Sequence, residues 1–295
     1  MTVREKGYIH WDGVLKEKKF IWWPITWLGI RLSFKKKYFK FIYFGSFIPA
    51  LVFLVGIYIS ERIQDFKYMV RGTPKFLEVN PAYFKTYFVG APPHVGPFLL
   101  FMMVMILVVS GAGLISDDLK GNSLQLYFSR PLEKRHYLVG KGAIVLFFLL
   151  LLTLVPGLLF IFFKVVFSGS FQFITSYPWL IISVIVYSLI VSLFFCFYTL
   201  LLSALSKNRR YVSILIFAVY IFSDILSGFF YEYFKKPGFI LLSLRANLQQ
   251  VGTFIFKTKP AYAVPWYWSF LILLAVCLLA NSVLLRKVKG VNVIK

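Results

Sequence analysis

Residues 115–141 read ISDDLKGNSLQLYFSRPLEKRHYLVGK. The segment is charged and lies between two strongly apolar runs. Asp117 and Asp118 follow the first run directly, and Gly121 permits a tight bend or a close backbone approach. Leu124, Leu126, Tyr127 and Phe128 give the next stretch an apolar side. At Ser129-Arg130-Pro131 any helix stops, because Pro131 cannot continue it and Arg130 is pushed toward extended geometry. Glu133, Lys134 and Arg135 then make a solvated turn that leads to Lys141 and the second apolar run. The pattern predicts a short amphipathic helix, a hard break and a basic return to the apolar phase. By composition alone it fits an ordinary loop carrying positive-inside charge equally well.

Outward from this segment, the chain is unusually apolar. Of its 295 residues, 59% are hydrophobic, and its mean hydropathy is +0.77. A soluble domain stays near about half apolar, so the excess must be solvated by lipid. Aromatic residues make up 20%, mostly Phe, which suits a lipid-facing surface with interfacial anchors. The formal charge is +22, from 33 Lys and Arg against 11 Asp and Glu. No nucleic-acid-reading motif accompanies that charge, and the cations cluster between apolar runs, so no nucleic-acid partner is expected. Cys196 and Cys277 both lie within apolar runs and read as small buried hydrophobes. No early apolar core with a small-residue cleavage site is apparent in the first forty residues.

A spanning helix needs about 20 mostly apolar residues. Six runs qualify, near 41–59, 97–115, 143–163, 179–205, 212–230 and 266–285. The expected fold is therefore all-α: a polytopic membrane protein with six transmembrane helices. Roughly two-thirds of the cations fall before the first run, between the second and third, between the fourth and fifth, and after the sixth, so these segments are expected to be cytoplasmic. Both termini then face the cytoplasm. The expected layout is a cytoplasmic N-terminus at 1–40, a six-helix domain at 41–285 and a basic tail at 286–295. Within it, 116–141 is a cytoplasmic loop, and 60–96, 168–178 and 232–265 are outer loops.

Residues 20–32 carry Trp22, Trp23 and Trp27 but are too short to span and contain Pro24. They read as an interfacial amphipathic helix, with Lys35, Lys36 and Lys37 meeting anionic lipid. In the last outer loop Leu241, Leu244, Leu248, Val251 and Ile255 share one helical face, while Arg245, Asn247, Gln249 and Gln250 point elsewhere. That pattern predicts an amphipathic helix at the outer interface rather than a seventh span. The loop at 60–96 shows no motif.

Catalytic and metal-binding patterns are missing. There is no phosphate-cradling Gly-rich loop and no His-Glu-x-x-His helix. The three histidines, His10, His94 and His136, fall in different loops. The chain is expected to be no enzyme and to hold no metal or cofactor. One acid interrupts the apolar runs: Asp224, a candidate lining residue of a translocation path, or else a group hydrated near the surface or bonded to Ser223 or Ser227. Lys164 reads as snorkelling to the interface, and Pro156-Gly157 as a kink.

Asp118, Gly121, Ser129, Arg130, Pro131, Arg135, Tyr137, Gly140 and Lys141 together resemble the pattern of type-2 ABC transporter permeases: an acid, a Gly, a Ser-Arg-Pro break, an Arg, an aromatic and Gly-Lys. The order of elements along nearly the whole chain resembles that family too. The resemblance implies a permease subunit, most often of an exporter, in the cell membrane. It also implies a second permease copy and separate ABC ATPase subunits that bind the ATP. In that family the loop between helices two and three docks into the ATPase as a coupling helix, and the nine residues just named would take that role here. The competing reading of the residues alone is a membrane scaffold or assembly subunit that moves nothing.

Overall fold

The computed structural model describes residues 20–62, 80–90, 98–128 and 133–288. These are mostly helical, with no strand among the described residues. Six helices are long and apolar enough to cross a membrane: span 1 Lys37–Glu61, span 2 Phe98–Lys120, span 3 Lys134–Ser168, span 4 Trp179–Leu205, span 5 Arg209–Phe234 and span 6 Trp266–Lys287. Each falls on the apolar run expected for it: span 4 has the expected bounds, and spans 1, 3 and 5 extend beyond theirs at both ends into flanking polar residues. Helices outside the spans are α1 (Trp23–Lys35), α2 (Pro81–Phe88), α3 (Ser123–Phe128), α4 (Gln172–Ser176) and α5 (Leu244–Ile255).

Spans 2, 3 and 4 form the centre. About half or more of their apolar windows are buried, against 22% for spans 1, 5 and 6. Aromatic rings fill much of the interior: Phe39, Tyr43 and Phe148 pack against one another between spans 1 and 3. Helix α1 lies along span 3, with Thr26, Ile30 and Ser33 buried and Trp23 and Trp27 exposed. Pro24 does not interrupt it. It stands in the first turn, where a missing N–H costs nothing.

Span 3 runs unbroken through Pro156. A proline lacks the N–H that would bond the carbonyl four residues back. That carbonyl, Leu152, instead accepts a hydrogen bond from the Tyr87 hydroxyl of α2 at 3.3 Å. Gly157 lets α2 approach: a Cβ there would fall 2.7 Å from the Phe88 ring and 2.6 Å from Val184. The described part of the 60–96 loop thus has a packing role that its sequence did not disclose. Lys164 does not simply snorkel; it is ion-paired with Glu61 at the end of span 1.

Helix α5 forms where the leucine spacing placed it, but its surroundings differ from expectation. Leu241 belongs to a preceding 3-10 turn, Pro237–Leu242. Asn247, Gln249 and Gln250 are only 1–3% exposed, so α5 is enclosed nearly all round rather than half-exposed at an interface. The glutamines tolerate burial because their amides are bonded: Gln249 Nε2 donates to the Val89 carbonyl at 2.8 Å, and Gln250 Oε1 accepts from the Tyr262 N–H at 3.1 Å.

Candidate functional site

The last turn of span 2 brings Asp117 and Asp118 past the apolar core. The Gly121 N–H caps it, donating to the Asp117 carbonyl at 3.0 Å. Gly121 itself has ordinary helical φ, and the positive-φ residue of the bend is Asn122, at 50°. Asparagine is one of the few side-chain-bearing residues that adopts this region readily. The chain then reverses through α3 and returns as span 3.

Antiparallel return places Tyr137 and Lys141, one helical turn apart, opposite Asp118. Asp118 Oδ2 accepts from the Tyr137 hydroxyl at 2.6 Å and from Lys141 Nζ at 2.7 Å. The Lys141 ammonium also stands 5.6 Å from the Tyr137 ring centre and 6.0 Å from that of Tyr127. Both charged side chains are largely enclosed, at 11% and 14% exposure. A lone charge there would be costly. This one is compensated by an opposite charge, a hydroxyl and two ring faces. Burial, with the Asp118 charge adding to it, pushes the Tyr127 phenol above its usual range. Beneath the cluster, Leu124 of α3, the fully enclosed Tyr137 and Val288 from the end of span 6 form a small apolar core.

Gly140 belongs to a neighbouring contact. A Cβ there would fall 3.0 Å from the Trp22 carbonyl, and the Thr26 hydroxyl donates to the Gly140 carbonyl at 3.0 Å. Gly140 is therefore where α1 crosses span 3. Of the other residues singled out, Arg135 is exposed and lines a groove apart from this cluster. Ser129, Arg130 and Pro131 lie outside the described residues.

A second set of residues, which the sequence did not flag, meets span 2 deeper in the bundle. Leu107–Gly111 is a π-helical turn, in which the Ala112 N–H bonds the Leu107 carbonyl at 3.1 Å. The extra residue displaces backbone groups from their usual partners. Side chains of two neighbouring spans take them up. Ser203 of span 4 accepts from the Ile115 and Ser116 N–H groups at 2.9 and 3.1 Å and donates to the Ala112 carbonyl at 2.8 Å. Arg209 of span 5 donates to the Val109 carbonyl at 2.8 Å, and the Ser213 hydroxyl to that of Val108 at 3.1 Å. Gly111 is needed for this contact, since a Cβ would fall 2.4 Å from the Thr199 methyl. Arg209 also faces Asp117, at 3.9 Å. Burial, and then the Arg209 charge, lower the pKa of Lys36 at the end of α1, while Asp117 opposes them. The turns before span 1, after span 2 and before span 5 thus share one electrostatic knot.

Asp224 stands at the opposite end of the bundle, and neither Ser223 nor Ser227 is its partner. Arg245 of α5 grips it in two-pronged fashion, Nε to Oδ2 at 3.0 Å and Nη2 to Oδ1 at 2.9 Å, and the Ser243 hydroxyl adds a bond at 2.8 Å. Burial alone would lower the Arg245 pKa; the hydrogen bond to Asp224, together with the electrostatic pull of Tyr262, Asp224 and Tyr220, outweighs it and leaves the value raised. Gln249 accepts from Arg245 Nη1 at 3.1 Å and from the Tyr262 hydroxyl at 2.8 Å, extending the network. The pair opens onto a pocket of about 510 Å³, whose wall includes Ser227, Gly228 and Tyr231. No group of side chains able to hold a metal ion occurs among the described residues.

A six-span helical bundle with a braced polar cluster at one end and a charged pocket at the other defines a multi-pass membrane protein. The model of the ABC-2 family transporter protein matches residues 23–279. The match takes in most of the chain, and the chain belongs to that family: it is a membrane-spanning permease component of an ABC transporter, a family whose members work with ABC ATPase partners. Comparison with curated proteins gives no match.

Proposed function

We propose that this permease is the membrane subunit of an exporter in the cell membrane, driven by a separate ABC ATPase that grips the segment 116–141 from the cytoplasm. ATP and its hydrolysis belong to the partner. Two permease copies pair, and their interface contains the path. The observation that carries this reading is the Asp118–Tyr137–Lys141 cluster. It fastens the end of span 2 to the start of span 3, so a force on the loop reaches both helices without slack. The π-turn clamped by Ser203 and Arg209 lies directly above, where a rigid push would be converted into a change of angle. An ATPase can drive the change only by holding the loop differently in its closed and open forms. Asp224 and its pocket, at the far end, supply a polar surface along the exit.

The test is reconstitution of the permease with its ABC ATPase. Asp118→Asn is expected to lower permease-dependent ATP hydrolysis by about tenfold, the effect of losing ~1.4 kcal/mol of coupling, while insertion and copurification persist. Unchanged coupled hydrolysis would remove the loop from the mechanism. A copurifying partner without any nucleotide site would favour a scaffold instead.

A further inference from the structure

At the loop end of the bundle, a groove of about 650 Å³ opens between α1, span 3, span 4 and span 6. Its walls are almost entirely apolar, with Leu138, Leu146, Leu193, Phe197 and Leu284 among them. Trp22 stands in its lining, and Arg135 supplies the charge. The Arg135 side chain is exposed, and no carboxylate among the described residues pairs with it. Along span 3 the lining runs from Arg135 to Leu146, about 16 Å at ~1.5 Å per residue. The lining begins in the charged start of span 3 and reaches the apolar run at Ala143 and Leu146, so it leads from the interface into hydrocarbon.

We propose that this groove holds an acyl chain of an anionic phospholipid whose phosphate pairs with Arg135. Three features select this occupant. The groove starts at a cation and ends in hydrocarbon. A guanidinium with free donors recognises phosphate oxygens in a two-pronged manner that a neutral headgroup cannot offer. A tryptophan beside it belongs at headgroup depth. The lipid would bridge α1 and spans 3, 4 and 6, stapling the interfacial helix to the bundle. The reading does not depend on how the loop engages an ATPase, because its readout is bound lipid.

The experiment is native mass spectrometry of the full-length permease released from nanodiscs of equal phosphatidylglycerol and phosphatidylcholine. The wild-type chain is expected to retain phosphatidylglycerol over phosphatidylcholine by about tenfold, equivalent to ~1.4 kcal/mol. Arg135→Ala should bring the ratio close to one, and Arg135→Lys should restore part of it. Ala143→Trp and, separately, Val139→Trp fill the groove from its wall and should reduce retention of both lipids; Val139 is exposed, so that variant leaves the core intact. A wild-type ratio near one, or retention unaffected by either filling variant, would overturn the proposal. So would efficient disulfide formation between copies in a Val139→Cys variant, which would assign the groove to a second chain.

Discussion

Asp118 shows how much one carboxylate can organise. It receives a hydroxyl and an ammonium from the opposing helix, and both charged partners are mostly shielded from water. Removing one member of such a pair leaves an uncompensated charge and costs about 3–5 kcal/mol when burial is complete, somewhat less here with residual exposure. Lys141→Ala should therefore destabilise the detergent-solubilised protein more than Tyr137→Phe, for which a bond to a charged group is worth about 1.5–3 kcal/mol. The double variant Asp118→Asn, Lys141→Met should recover part of the loss. A double-mutant cycle on thermal unfolding measures this, and additivity within about 0.5 kcal/mol would show that the two side chains do not act as a pair. The sequence made these residues conspicuous because charged and aromatic types stand out between apolar runs. It did not reveal that positions 118, 137 and 141 converge, since that depends on the register in which span 3 returns past span 2. Arg209 was harder still to read. Its main partner is the Val109 carbonyl, and every residue type offers one.

At the level of elements, the six spans were plain from hydropathy because lipid accepts long apolar helices and little else. The π-turn of span 2 was not, because Leu107–Gly111 is as apolar as its surroundings and the extra residue is set by what the neighbouring spans offer. Ser203 is the decisive partner: it is fully buried and serves two N–H groups and one carbonyl. Ser203→Ala strands two buried donors, at about 1–3 kcal/mol each. Amide exchange in a peptide covering 107–118 should then accelerate by more than about tenfold while exchange at the far end of span 3 stays unchanged; equal protection in both proteins would mean that the turn needs no clamp. Helix α5 teaches a related lesson. Its leucines predicted a helix correctly, but the apolar face alone suggested an interfacial position. Enclosure came from spans 4, 5 and 6 and from the residue that ends α2, Val89, whose carbonyl takes Gln249 and whose approach requires Gly252, where a Cβ would fall 2.5 Å from the Val89 side chain. Gly252→Ala should cost about 1–3 kcal/mol by overpacking, read as a lower thermal midpoint. A change below the error of that measurement would show that α2 yields freely.

The whole molecule is asymmetric in what it leaves uncovered. Spans 2, 3 and 4 are enclosed, whereas span 5 presents Ile214, Phe222, Ile225 and Phe229 outward and also carries Asp224. Lipid can cover the phenylalanines. It cannot comfortably cover an ion pair whose carboxylate is 36% exposed, because charge at membrane depth belongs beside water or protein. A second copy set against this side of span 5 would turn the pocket beside Asp224 into one wall of a shared, hydrated cavity, far from the loop that an ATPase would grip. Gly228 offers a probe: it lines the pocket, and a Cβ added there meets nothing within 4 Å. In a background lacking Cys196 and Cys277, Gly228→Cys should be joined between copies by a flexible bis-maleimide in native membranes, whereas Leu278→Cys, on the outward face of span 6 and 61% exposed, should not. The reverse pattern would place the interface on span 6 and leave Asp224 on the periphery, where its pairing with Arg245 would serve only to hold α5 against span 5.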